Sequence, residues 1–147
     1  MSSEPIPVQT TPAPAPVLKT HTAACHCGDV KVKVNVDLSA TGRCNCTVCV
    51  KKRSWNARVA IEEFTLVAGA DACSVYTLSG AALHHFCKRC GVSVYSKCNI
   101  PTIGEFYTVS VNCLDGLTAD ELAAIPIRYS DGLNNNWWNP PTVTCYL

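Results

Sequence analysis

Hydrophobic and polar positions alternate most clearly in DVKVKVNV, where Val30, Val32, Val34 and Val36 are interleaved with Lys31, Lys33 and Asn35. A period of two places the valines on one face and predicts a strand with one buried side. SWNARVAI, EEFTLVAG, CSVYTL, ALHHF, VSVYS and EFYTVSVNCL are short, rich in β-branched and aromatic residues, and separated by Gly, Asp, Asn or Ser. They read as further strands. LTADELAAI differs: Thr118 and Glu121 stand at capping-box spacing ahead of a Leu and Ala run that Pro126 stops, so one short helix is expected there. No repeat of fixed period is visible. The pattern predicts a mostly β domain of several small antiparallel sheets with one short helix, from residue 19 to 147.

Ahead of it, MSSEPIPVQTTPAPAPVL holds five prolines and no unbroken apolar run. Residues 1–18 therefore read as a disordered, Pro-rich tail and not as a secretion signal. No later stretch approaches the roughly 20 apolar residues of a membrane span. The expected compartment is cytoplasmic, where thiols stay reduced. A net charge of +1, with no basic block beyond Lys51, Lys52 and Arg53, argues against a nucleic-acid partner. With 147 residues and 48% hydrophobic composition, the chain holds enough material for a core without needing a staple.

Its 11 cysteines therefore ask for another explanation. Seven fall into three groups: CHCG (Cys25, Cys27), RCNCTVC (Cys44, Cys46, Cys49) and HHFCKRCG (Cys87, Cys90). The odd total and the short spacings suit metal ligands better than a disulfide framework. C-x-x-C followed by Gly resembles a zinc knuckle, in which a tight turn aims backbone amides at the sulfurs. The C-x-C-Gly turn is the natural supplier of its second pair. Cys25, Cys27, Cys87 and Cys90 would then close a structural site. Cys44, Cys46 and Cys49 would offer three sulfurs and a vacancy, as a catalytic metal requires. The alternative is a second structural zinc completed by His21, His26, His84, His85 or a spare cysteine. Cys73, Cys98, Cys113 and Cys145 match no ligand motif and read as small buried apolar residues.

CHCG, CNCTVC followed by KK, H-x-FCKRCG, CLDG and YSDGLNNNWW together resemble the glutathione-dependent formaldehyde-activating enzyme family, which includes centromere protein V. The resemblance implies a β-tent fold stapled by one structural zinc on Cys25, Cys27, Cys87 and Cys90. It also implies a second, labile zinc on Cys44, Cys46 and Cys49 near a glutathione site. The expected activity is that of a zinc-dependent carbon–sulfur lyase or synthase. Its substrate would be glutathione or a glutathione-like adduct, in detoxification or in a tailoring pathway. The alternative is a non-catalytic, zinc-stapled module that recruits a protein or chromatin partner.

Other residues join the candidate site on chemistry and resemblance together. Adjacent strand residues face opposite ways, so only one of His84 and His85 can point inward, and the resemblance favours His84 as the candidate acid or base. Asp131, within the YSDGLNNNWW stretch of the resemblance, is a second catalytic candidate. Lys51 and Lys52 would attract the carboxylates of glutathione. Asn134 would line the pocket and Trp137 would close one wall. Trp55 and Asn56 are further candidates for lining the cleft.

Overall fold

A computed structural model describes residues 14–147. The chain runs through β1 (Lys19–Ala24), β2 (Lys31–Val36), β3 (Thr41–Cys44), α1 (Thr47–Lys52), β4 (Asn56–Val59), β5 (Phe64–Ala68) and β6 (Cys73–Tyr76). It continues through β7 (Ala82–Cys87), β8 (Tyr95–Ile100), β9 (Gly104–Ser110), α2 (Ala119–Ala124) and β10 (Ile127–Ser130). Two sheets result. A three-stranded sheet has the order β1-β2-β5, and a seven-stranded sheet has the order β10-β3-β4-β9-β8-β7-β6.

The valine face of β2 behaves as its alternation predicts. Val30, Val32, Val34 and Val36 are all buried, while Lys31 and Lys33 are exposed. Ala57 and Val59 of β4 and Val109 of β9 join them in one hydrophobic core. Phe64 stacks on Tyr107 with ring centroids 3.8 Å apart and nearly parallel planes, closing the space between the two sheets. Trp55 is also in this core: its Nε1 donates to Thr41 Oγ1 at 2.8 Å, and that hydroxyl donates to Pro126 O at 2.6 Å. Buried polar groups satisfied in this way hold β3, β4 and the approach to β10 together. Trp55 therefore does not line a cleft.

Three expectations need correction. The sheets number two, and they are not wholly antiparallel, because β10 pairs with β3 in parallel. A second α-helix, α1, occupies Thr47–Lys52 within TVCVKK. Its Thr and Val residues are poor helix formers. What ends it is local: Arg53 adopts a left-handed conformation (φ 53°), which lets the amides of Arg53 and Ser54 reach Val50 O and Cys49 O. The third concerns VSVYS, whose strand starts only at Tyr95, because the Val92 carbonyl turns back to accept from Cys87 N at 3.0 Å.

The predicted α2 forms with its full capping box. Glu121 N donates to Thr118 Oγ1, and Thr118 N donates to Glu121 Oε2 at 2.7 Å. β1, β3 and β10 carry no clear alternation and were not expected. Of the predicted tail, residues 1–13 lie outside the described residues, and 14–18 are exposed without regular structure. Among the described residues no helix is long and apolar enough to cross a membrane.

Candidate thiol and metal site

The first cluster is built by two turns. After CHC, Gly28 takes φ +84° and its amide donates to Cys25 O; after CKRC, Gly91 takes φ +75° and its amide donates to Cys87 O. Such left-handed turns suit glycine, which has no Cβ to clash. The first turn brings Val30 N to 3.2 Å from Cys25 Sγ, the amide-to-sulfur contact expected of such a loop. The amides of Cys27 and Val92 lower Cys90 to about 6. Sulfurs 25 and 27 lie 3.6 Å apart, and sulfurs 27 and 87 lie 3.5 Å apart. All four sulfurs lie within 4.8 Å of one another. Tetrahedral zinc with sulfur at about 2.3 Å sets sulfurs roughly 3.8 Å apart, so this donor set fits the ion in number, type and spacing.

The second cluster owes its position to the parallel β3–β10 pair. Register sets Ser130 beside Cys44, so Asn45 and Asp131 leave the two strands together. Asn45 is buried and binds the neighbouring segment at three points. Its amide donates to Ser130 O at 3.2 Å, its Nδ2 donates to Asp131 Oδ1 at 2.7 Å, and its Oδ1 accepts from Leu133 N at 3.0 Å. Asn134 Nδ2 donates to both oxygens of Asp131. These amides, Asn134 first and then Asn45, hold the Asp131 carboxyl below the usual range. Asp131 and Asn134 are thus engaged with each other and with the cysteine loop.

Gly132 is the closest point of that contact. A Cβ built there would lie 2.5 Å from Cys44 Sγ and 2.7 Å from the Trp137 ring. The absence of a side chain lets Gly132 lie against both Cys44 Sγ and the ring of Trp137, which is 49% exposed. The sulfurs of Cys44, Cys46 and Cys49 also lie within 4.8 Å of one another, and among the described residues no further Cys, His, Asp or Glu joins them. Contacts from Cys44 and then Cys49 lower the pKa of Cys46, and contacts from Cys44 and then Cys46 raise that of Cys49. A thiolate is the form that binds metal. Three clustered sulfurs fit zinc in donor type and leave one tetrahedral position to another group.

α1 separates this triad from a larger space. At about 100° per residue, Thr47, Val48, Lys51 and Lys52 share one face of the helix, and Cys49, Val50 and Arg53 share the other. The first face, with Tyr76, Leu78, His84, Phe86, Gly91 and Ser93, lines a cleft of about 510 Å³. The second lines only a narrow crevice, together with Cys44 and Tyr146.

Lys52 Nζ lies 3.1 Å from His84 Nδ1, and burial lowers the pKa of the lysine. Ser96 Oγ lies 3.0 Å from the same His84 nitrogen. An ammonium has only donors, so Nδ1 accepts and the ring proton sits on Nε2. Burial, and then the Lys52 charge, lower the pKa of His84. His85 points away from the cleft and stacks on Tyr95, with centroids 4.4 Å apart, as strand geometry predicts.

The sequence reading gathered most of these residues and missed the ones that hold them. Asn45 and Gly132 lie inside RCNCTVC and YSDGLNNNWW, but nothing local marks them as the residues that hold the triad. Ser96, Tyr76, Leu78 and Phe86 looked like ordinary strand residues. Among the spare cysteines, Cys98 and Cys113 are buried as expected, Cys73 is partly covered opposite Cys87, and Cys145 is exposed. Asn56 is partly buried within β4 and is not among the residues lining either space.

Fold and clusters together define a class: small two-sheet β proteins that gather seven cysteine sulfurs into one set of four and one of three, each able to hold a metal ion. Residues 20–128 match the model of the family described as glutathione-dependent formaldehyde-activating enzyme, and the chain belongs to that family. Its membership supports catalytic activity of a glutathione-linked kind. The match spans both clusters and ends before the Asp131–Trp137 segment. A crystal structure of a Rhodobacter sphaeroides protein is similar in fold, with a TM-score of 0.63 at 26% identity over 73% of this chain and 99% of that one.

Proposed function

We propose that the chain is a zinc-dependent enzyme that forms or breaks a carbon–sulfur bond on glutathione or a glutathione-like thiol adduct. The observation that carries this reading is the three-sulfur triad, clustered within 4.8 Å and joined by no fourth side-chain donor among the described residues. Zinc held by Cys44, Cys46 and Cys49 would supply Lewis acidity to a thiol or a carbonyl oxygen. A second zinc, on Cys25, Cys27, Cys87 and Cys90, is structural.

The chain's own groups do the rest. Asp131 acts through Asn45 to hold the cysteine loop, and Gly132 lets its own segment pack against Cys44. Lys51 and Lys52 meet the carboxylates of the tripeptide. When a thiol adds to an aldehyde, the carbon–sulfur bond forms, the thiol gives up its proton and the carbonyl oxygen gains one. His84 Nε2–H donates a hydrogen bond to that oxygen in either direction, and the proton the oxygen gains is the one the thiol releases. Asn134 keeps the Asp131 carboxylate in place.

The test is Cys46→Ser. The variant folds, keeps the first cluster and loses turnover of S-(hydroxymethyl)glutathione-type adducts. A folded variant with unchanged turnover would reject the reading.

A further inference from the structure

The cleft beside α1 has a wall that carboxylate-binding lysines do not account for. Leu78, at the tip of the β6–β7 hairpin, is 81% exposed, and Tyr76 at the end of β6 is 51% exposed. The tip is held by local bonds: Gly80 N donates to Thr77 Oγ1 at 2.9 Å, and Ala81 N donates to Ser79 Oγ at 3.3 Å. Leu78 is therefore presented by a defined turn. Phe86 follows His84 by two residues on β7, so both side chains lie on the same face, and both line the cleft. The Tyr76 ring runs nearly parallel to the His84 imidazole, at an interplanar angle of 19°.

The α1 side carries Thr47, Val48, Lys51 and Lys52, and His84 and Ser93 also line the cleft. Three large apolar or aromatic side chains thus gather on β6, β7 and the turn between them, and both lysines stand on α1. A volume of about 510 Å³ lies within the roughly 300–1,000 Å³ of small-molecule sites. Glutathione alone offers carboxylates to the lysines and nothing apolar to the other wall. Exposed apolar side chains gathered on one side of a cleft gain from a ligand that removes them from water.

We propose that this cleft selects thiol conjugates whose sulfur carries a flat apolar group, seated against Tyr76, Leu78 and Phe86 while the carboxylates meet Lys51 and Lys52. This rests on reading the chain as a glutathione-type enzyme. It extends that reading from the thiol to the group the sulfur bears, and it makes the β6–β7 hairpin the element that determines specificity.

Calorimetry on the zinc-loaded full-length chain tests it with S-benzylglutathione and S-methylglutathione. Both lack a free thiol, so their difference reports on the S-substituent alone. The benzyl conjugate should bind about tenfold tighter or more. Leu78→Ser should shrink that ratio to about twofold, and Tyr76→Ser should shrink it as well. Leu78 is almost wholly exposed, so its replacement leaves the core intact. Equal affinities in the wild type, or an undiminished ratio in both variants, would overturn the inference. Free glutathione, titrated in parallel into wild type and Cys46→Ser, separates the two levels. If it binds only the wild type while the conjugates show no difference, the cleft inference fails and the enzyme reading stands. If none of the three compounds binds, both fail.

Discussion

The two cysteine clusters solve different problems with the same side chain. Cys25, Cys27, Cys87 and Cys90 come from two glycine-ended turns far apart in sequence, with two of the four cysteines buried, and they tie the first sheet to the end of β7. Cys44, Cys46 and Cys49 come from one short stretch, the end of β3 and the start of α1, and all three are partly open. Their support is borrowed from Asn45, Asp131 and Gly132. A complete set of four donors drawn from distant turns serves the fold. A set of three, held from behind by hydrogen bonds, leaves room for a reactant.

The sharpest way to break this contrast is to remove one sulfur from each cluster. Cys87→Ser should destabilise the fold strongly, because it removes a buried ligand from the four-sulfur set that joins two distant turns. A fall of about 10 °C or more in the thermal transition would be the readout. Cys46→Ser should leave that transition within a few degrees of wild type and lower turnover about a hundredfold or more. Similar behaviour of the two variants would erase the distinction.

Gly132→Ala probes the borrowed support. The added Cβ would stand 2.5 Å from Cys44 Sγ, so loop or sulfur must shift, at a cost of about 1–3 kcal/mol. Denaturant unfolding measures that cost, and weakened metal retention at the second cluster alone should accompany it. Asn45→Ala should cost somewhat less, about 1–2 kcal/mol, by leaving the Leu133 amide without its partner and the Asp131 carboxylate with Asn134 alone. Hydrogen exchange should quicken at Leu133 and remain slow in β2.

The smallest expected effect is on pH. Burial and Lys52 lower the pKa of His84, so its neutral form is favoured in the folded chain. Its contribution to stability is fully present above the ordinary histidine value of about 6.5 and is lost as pH falls through the lowered folded value. Stability should therefore decline on mild acidification, and His84→Gln should flatten that decline.

How much of this was legible in the sequence depends on whether the signal was local. β2 could be read because four valines alternate with polar residues, and α2 because Thr118 and Glu121 stand three apart ahead of an apolar run. Both clusters could be read because ligand spacing is written along the chain. The buttress of the triad could not. Asn45 and Asp131 are 86 residues apart, and only the parallel β3–β10 pairing brings them together. Nothing local announces a parallel pair made by four-residue strands. α1 was hidden for the opposite reason: its Thr and Val residues speak for a strand, and the left-handed turn at Arg53 decides otherwise. Trp55 was not legible as a core residue, because the partner of its indole nitrogen, Thr41, belongs to strand β3.

The most direct test of the open triad is optical. Cobalt(II) substituted into both clusters would be titrated with glutathione while the thiolate-to-metal charge-transfer band is followed. The account predicts a saturable gain in that band from one of the two cobalt ions, lost in Cys46→Ser, as an outside sulfur joins three from the chain. A spectrum that glutathione leaves unchanged, with two cobalt ions already showing four-sulfur coordination, would contradict it.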